Sequence, residues 1–256
     1  MSPSPHAPAA LLWDIDGTVA ETERDGHRVA FNLAFAEEGL AWGWDEKRYG
    51  ELLHVTGGRE RLLADMARRP DAPTREADRQ ALAQRLHQRK NHHYEQLVEQ
   101  GLISARPGVL ALMRDAAAAG VRQAIVTTTS RSNVVALMSR LLGPHWAGHF
   151  SAVVCGEDAP RKKPDPQAYV LALQQLGLPA AAALALEDSA PGLAAARAAG
   201  LKVWLRPSVY FPCERQSDPA VHLAAADEPL QWTALAAWFS QRRASLGDAA
   251  TTFSTS

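Results

Sequence analysis

Four polar clusters sit where short apolar runs end, and no other feature constrains the fold as strongly. Residues 10–13 are apolar and stop at Asp14-Ile15-Asp16-Gly17-Thr18. Residues 123–126 stop at Thr127-Thr128-Thr129-Ser130, and residues 183–186 stop at Glu187-Asp188-Ser189-Ala190-Pro191-Gly192. The remaining cluster, Lys162-Lys163-Pro164-Asp165-Pro166, follows the short run 152–154. Helix-period stretches separate these runs at 109–119, about 133–142, about 166–176 and 192–199, and a further apolar run covers 203–205. Pro107-Gly108 before the first stretch and Gly120 after it are helix punctuation. Strands alternating with helices of this length predict an α/β fold, a Rossmann-like three-layer core built on a parallel sheet. Ligands of such sheets bind beyond the carboxyl ends of the strands, where these clusters lie.

One segment breaks the alternation. Residues 21–104 are charged, helical in pattern and free of strand signals, with helical stretches at 30–38, 46–53, 59–67 and 78–99. The expected organisation is therefore an α/β core of residues 1–20 and 106–246, an all-helical domain of residues 21–105 inserted into it, and a polar, frayed tail at 247–256.

Composition narrows the partners. The 256 residues carry a formal net charge of -1, which leaves no overall footprint for nucleic acid or an anionic membrane, so any anion site must be local. Cys155 and Cys213 have neither metal-ligand spacing nor the density of a disulfide scaffold, and read as free thiols in a reducing compartment. Residues 1–9 lack the basic start and apolar core of a signal peptide, and no run reaches the ~18 apolar residues of a membrane span. The expectation is a soluble, cytoplasmic monomer acting on a small molecule, with neither nucleic acid nor membrane as partner.

The clusters carry chemistry in combination. An apolar strand delivering two carboxylates before a glycine turn suits a carboxylate nucleophile, Asp14, beside an acid/base, Asp16. The hydroxyls and backbone N–H groups of residues 127–130 can hold phosphate oxygens, although such a loop also serves as a helix N-cap. A lysine fixed by prolines can neutralise a nucleophile and its phosphate, although it can equally be a solvated turn. Glu187 and Asp188 at a strand end, with Asp14 nearby, make an oxygen-rich site suited to Mg²⁺, although an acidic pair there can simply cap the next helix.

The order DIDGT, TTTS, KKP and LEDSAPG resembles the four motifs of the haloacid dehalogenase-like superfamily across nearly the whole core. The resemblance implies a phosphatase in which Asp14 becomes an aspartyl-phosphate and Asp16 is the general acid/base. Thr127 and the Thr128 backbone would bind the transferring phosphoryl group and Lys163 would neutralise it. Magnesium would be held by Asp14, Asp188 and the Asp16 carbonyl, with Glu187 ordering its water shell. Trp13 stands where relatives usually place Phe, which alters packing rather than chemistry.

The helical insert resembles the cap of the subgroup containing β-phosphoglucomutase, phosphoglycolate phosphatase and CbbY-type phosphatases. Glu21-Thr22-Glu23, His27-Arg28, Trp42-Gly43-Trp44 and Thr56-Gly57-Gly58-Arg59-Glu60-Arg61 are similar to CbbY-type strings, as is the core's TTTS with Asn133 beyond it. CbbY-type enzymes hydrolyse xylulose 1,5-bisphosphate, so the resemblance implies a second phosphate site. Arg59 is the candidate for it, Lys90 a further cap contact, and Glu23 and His27 contacts to sugar hydroxyls; Thr128, Ser130 and Asn133 complete the set. Arg59, Arg61 and Lys90 have a simpler alternative as solvated helix charges. Trp42 and Trp44 are expected in the cap's own core, and His92 and His93 at the surface. A phosphoglycolate phosphatase, a β-phosphoglucomutase-like enzyme and an inactive binding protein on the same fold are the competing functions.

Overall fold

A computed structural model describes residues 7–212, 216–225 and 228–247, with side chains described as far as residue 240. Cys213, residues 1–6 and residues 248–256 of the expected tail lie outside the described residues. Among the described residues, six parallel strands form one sheet in the order β3-β2-β1-β4-β5-β6: β1 (Ala10–Trp13), β2 (Arg122–Val126), β3 (Ala152–Val154), β4 (Ala183–Glu187), β5 (Lys202–Leu205) and β6 (Val221–Leu223). The central position of β1 places Asp14 between the ends of β2 and β4.

The period-two alternation of strand side chains explains why β1 is apolar throughout. Leu11 and Trp13 enter a cluster with α5 (Val109–Ala118), α6 (Arg131–Leu142) and α9 (Trp232–Gly247). Ala10 and Leu12 enter another with α7 (Gln167–Leu176) and α8 (Ala190–Ala198) on the opposite face. Trp13 is fully buried, and its indole N–H donates to Gln123 Oε1 at 2.9 Å, while Gln123 donates to the Met113 carbonyl. A tryptophan beside the nucleophile thus brings a buried polar group that the sheet itself satisfies.

Helices α1 (Arg28–Glu37), α2 (Glu46–Leu52), α3 (Gly58–Met66) and α4 (Glu76–Glu99) surround a third cluster of their own. Phe31, Phe35, Trp42, Trp44 and Tyr49 lie in it, so both tryptophans are interior; their N–H groups reach Asp71 and Asp65. A π-helical turn, Glu23–His27, leads into α1. The chain leaves and re-enters the core at one place, where Ala20 pairs with Ala105 and Arg106 N–H donates to the Val19 carbonyl at 2.8 Å. Tyr94, Leu97 and Val98 of α4 belong to the same cluster as Val134 and Met138 of α6, so this seam is apolar. Cys155 is a buried free thiol, and among the described residues no helix is long and apolar enough to cross a membrane.

Candidate active site

The carboxyl ends of β1 and β4 bring three buried carboxylates together: oxygens of Asp14, Glu187 and Asp188 all lie within 4.8 Å of one another. Lys163, only 5% exposed, inserts between two of them, with Nζ 2.6 Å from Asp14 Oδ1, 2.6 Å from Glu187 Oε1 and 3.0 Å from the Val126 carbonyl. The solvated-turn alternative for this lysine is therefore excluded; Lys162 beside it bonds to the Gly156 and Ala159 carbonyls. The helix-cap alternative for Glu187-Asp188 fails as well, because the residue after them does that work. Ser189 accepts from the Gly192 N–H and starts α8, leaving both acids to the cluster.

Glycines make room for this cluster. Gly17 has φ +85°, and a Cβ there would fall 2.0 Å from Asp188 Oδ2. At Gly192 a Cβ would fall 1.9 Å from Glu187 Oε2. Those two oxygens are buried and, among the described residues, without a hydrogen-bond partner. Three carboxylates against one ammonium leave a formal −2, which a divalent cation would cancel. An all-oxygen, acidic donor set with two buried orphan atoms fits Mg²⁺. Burial pushes Asp14 up to about 8, Lys163 opposing and Glu187 reinforcing the shift. Asp188 is raised well above the carboxylate range by burial, then by Asp14 and Glu187. Burial also works against the Lys163 charge, yet Asp14 and Glu187 outweigh it and hold the ammonium above its ordinary value.

Asp16 turns the other way. Its Oδ1 accepts from Thr22 Oγ1 at 2.5 Å and lies 2.9 Å from His27 Nε2, so its carboxylate is not in the acidic cluster. The metal role expected for Asp16 used its backbone carbonyl, which this orientation leaves open. Burial would raise Asp16, but His27, through charge and hydrogen bond, and Thr22 hold it down to about 2.

Beyond Asp16 lies a cavity of about 260 Å³, whose lining includes Glu23, His27, Arg59, Lys90, Thr128, Ser130 and Asn133. A smaller chamber of about 60 Å³ adjoins it and reaches Asp14, Lys163 and Asp188, with Asp16, Glu23, Gly57, Arg61 and Thr128 common to both. Thr127 is buried beside them, its Oγ1 accepting from the Thr129 N–H at 3.2 Å. Ser130 occupies the N-cap position of α6 without a capping bond from its side chain. Asn133, 2% exposed, donates to Thr129 Oγ1 and to Asn91 Oδ1 of α4, tying the loop after β2 to the helical segment.

The solvated-charge alternative is wrong for two of the three helix cations. Arg59 is exposed at the rim. Lys90 is 3% exposed; its ammonium lies 5.4 Å from the Phe31 ring centroid and 5.2 Å from that of Tyr94, with Asn91 Oδ1 3.4 Å away. Burial drives Lys90 down to about 8, against Asp16 and Glu23. Arg61 is buried too, donating to Tyr49 Oη at 2.9 Å and lying 3.7 Å from Glu23 Oε1, while the Tyr49 hydroxyl donates to Glu23 Oε2. Helical periodicity did not show these burials, because the covering groups come from other turns and helices of the same segment: Phe31 and Tyr94 face Lys90, and Tyr49 and Glu23 face Arg61. His87, which the sequence reading passed over, also lines the cavity; burial, then Lys90, drives it down to about 4, keeping it neutral. Its place three residues before Lys90 was the available signal, since that spacing puts both on one helix face. His92 is exposed and His93 pairs with Glu37 on the outside.

Comparison with known proteins gives this geometry its context. The haloacid dehalogenase-like hydrolase family matches residues 8–200. The chain belongs to that family. It is an enzyme of the phosphatase kind found there. Protein CbbY of Rhodobacter capsulatus is 44% identical over 201 residues, covering 78% of this chain and 86% of the relative. The crystal structure of CbbY from Rhodobacter sphaeroides in complex with phosphate superimposes on this hydrolase with a TM-score of 0.76 at 39% identity, covering 85% of this chain and 93% of that one. A mutant of the same CbbY in complex with xylulose-(1,5)bisphosphate gives a TM-score of 0.74 at 39% identity, covering 81% and 90%.

Proposed function

We propose that this hydrolase is a magnesium-dependent, CbbY-type phosphatase that converts xylulose 1,5-bisphosphate to xylulose 5-phosphate through an aspartyl-phosphate on Asp14. The observation that carries the reading is Lys163, buried between Asp14 and Glu187 beside two orphan carboxylate oxygens. The bisphosphate complex of the CbbY relative supports the substrate. In this reading residues 21–105 form the cap, and the enzyme works as a cytoplasmic monomer on a soluble sugar phosphate.

A carboxylate oxygen of Asp14 attacks phosphorus, and the bond from phosphorus to the sugar oxygen breaks. Lys163, Thr127 and the Thr128 backbone hold the equatorial oxygens as charge spreads over them. Asp16 gives its proton to the departing sugar oxygen; a dianionic phosphoryl group arriving nearby raises its proton affinity from the resting value. Water then attacks the aspartyl-phosphate, Asp16 takes the water proton, and phosphate leaves with Asp14 restored. Asp14, Asp188, the Asp16 carbonyl and, through water, Glu187 would hold Mg²⁺, which neutralises phosphate charge when bound. Glu23 and His27 orient sugar hydroxyls, Ser130 and Asn133 complete the inner wall, and Arg59 with Lys90 takes the distal phosphate.

Phosphate release over a panel of pentulose and hexose mono- and bisphosphates, phosphoglycolate included, tests the reading. Xylulose 1,5-bisphosphate should give the highest kcat/KM, and chelator should abolish turnover. Activity that survives EDTA or Asp14→Asn overturns the mechanism; a preference for phosphoglycolate overturns the substrate alone.

A further inference from the structure

We propose that Tyr169 is a positioning residue that aims Glu187 at the cation site, an inference that rests on the metal reading above. Tyr169 is fully buried on α7, six residues beyond Lys163, and its hydroxyl donates to Glu187 Oε1. Lys163 Nζ contacts that same oxygen at 2.6 Å, and lies 5.2 Å from the Tyr169 ring centroid. One helix and the loop before it thus deliver both donors to one carboxylate oxygen. The second oxygen, Oε2, is left buried and unpartnered against Gly192, where a Cβ would come within 1.9 Å.

A carboxylate held by one donor tilts freely about it. Two donors on Oε1 and the bare backbone of Gly192 against Oε2 fix the plane of a carboxylate that stands within 4.8 Å of those of Asp14 and Asp188. Lys163 cannot fix that plane alone, because it also serves Asp14 and the Val126 carbonyl. Groups that orient metal-holding side chains in this way typically change metal affinity by about 10–100-fold when removed.

Titration of wild type and Tyr169→Phe with Mg²⁺ alone, by calorimetry and by the Mg²⁺-dependent rise in Tm, provides the test. The ring is retained in Tyr169→Phe, and the metal-free Tm reports whether the fold survives. We expect Mg²⁺ to bind about 10-fold more weakly, with kcat recovering in excess Mg²⁺ and KM for the sugar phosphate little changed. Gly192→Ala, whose Cβ would press on the same carboxylate from its Oε2 side, should reproduce the Mg²⁺ deficit. Wild-type affinity in Tyr169→Phe, or a kcat loss that excess Mg²⁺ does not restore, overturns the positioning role while leaving the metal site standing. Absence of Mg²⁺ binding in wild type overturns both.

Discussion

Asp16 and His27 meet through a 2.9 Å contact between Oδ1 and Nε2, and this contact joins the end of a sheet strand to the entrance of the helical segment. It couples the candidate acid/base to the segment proposed to form the cap. Asp16→Asn should therefore lower kcat on sugar phosphates by about 10²–10⁴, the usual range for general acid–base catalysis. Loss on p-nitrophenyl phosphate, whose leaving group needs little protonation, should be much smaller in the first step. His27→Asn should act in the same direction more weakly and lift Asp16 from about 2, moving the acid limb of the rate profile upward. Equal losses on both substrates would remove Asp16 from the acid role.

Lys163 stabilises as well as acts. Removing its ammonium leaves Asp14 and Glu187 buried against each other without their shared counter-charge. Breaking a buried pair from one side costs about 3–5 kcal/mol. Lys163→Met should lose an amount of that order in urea unfolding without metal, and its unfolding midpoint should rise as pH falls and the carboxylates take up protons. An unchanged midpoint would show that the site tolerates the bare negative charge.

Lys90 should give an opposite result. Its pKa is depressed to about 8 by burial, so between about 8 and the ordinary lysine value of 10.5 the unfolded chain binds more protons than the folded one. Its contribution to stability therefore rises with pH across that window. At pH 7 the buried charge costs on the order of 3 kcal/mol. Lys90→Met should raise the Tm at pH 7, narrow that advantage by pH 10, and weaken bisphosphate turnover. A pH-independent difference in stability would reject the buried-charge account.

Arg59→Ala separates distal from reacting phosphate. If Arg59 holds the distal group, kcat/KM should fall about 10-fold or more on bisphosphates and little on monophosphates, the loss expected for a charge-assisted contact. Equal penalties on the two classes would end that assignment.

Gly17→Ala should be costly for two separable reasons. The positive φ of +85° disfavours any Cβ, by about 1–2 kcal/mol, and the added carbon would collide with Asp188 Oδ2. Thermal melts should show the first and Mg²⁺ titration the second.

The strand ends were readable because a parallel sheet concentrates polar residues where its apolar runs stop, as at Asp14, Thr127 and Glu187. What one motif does when two jobs are open to it was not readable. Only the hydrogen bond from Gly192 to Ser189 frees Glu187 and Asp188 from capping α8. Burial of Arg61 and Lys90 was hidden for a related reason, since a charged helix face does not reveal that another part of the chain closes over it. The three-residue β6 and the π-helical turn at Glu23–His27 carry too little pattern to stand out from loops.

The joint at Ala20 and Ala105 has an evolutionary consequence. An insertion whose ends are already neighbours can change length with little penalty to the host, because loop-closure entropy grows only slowly with length. The joint alone would let one core accept many different inserts. The apolar seam of Tyr94, Leu97 and Val98 against Val134 and Met138 restricts that freedom. A grafted replacement would have to match this seam as well as fit the joint, so new substrate ranges are reached more readily by altering single cavity residues than by exchanging the whole insert.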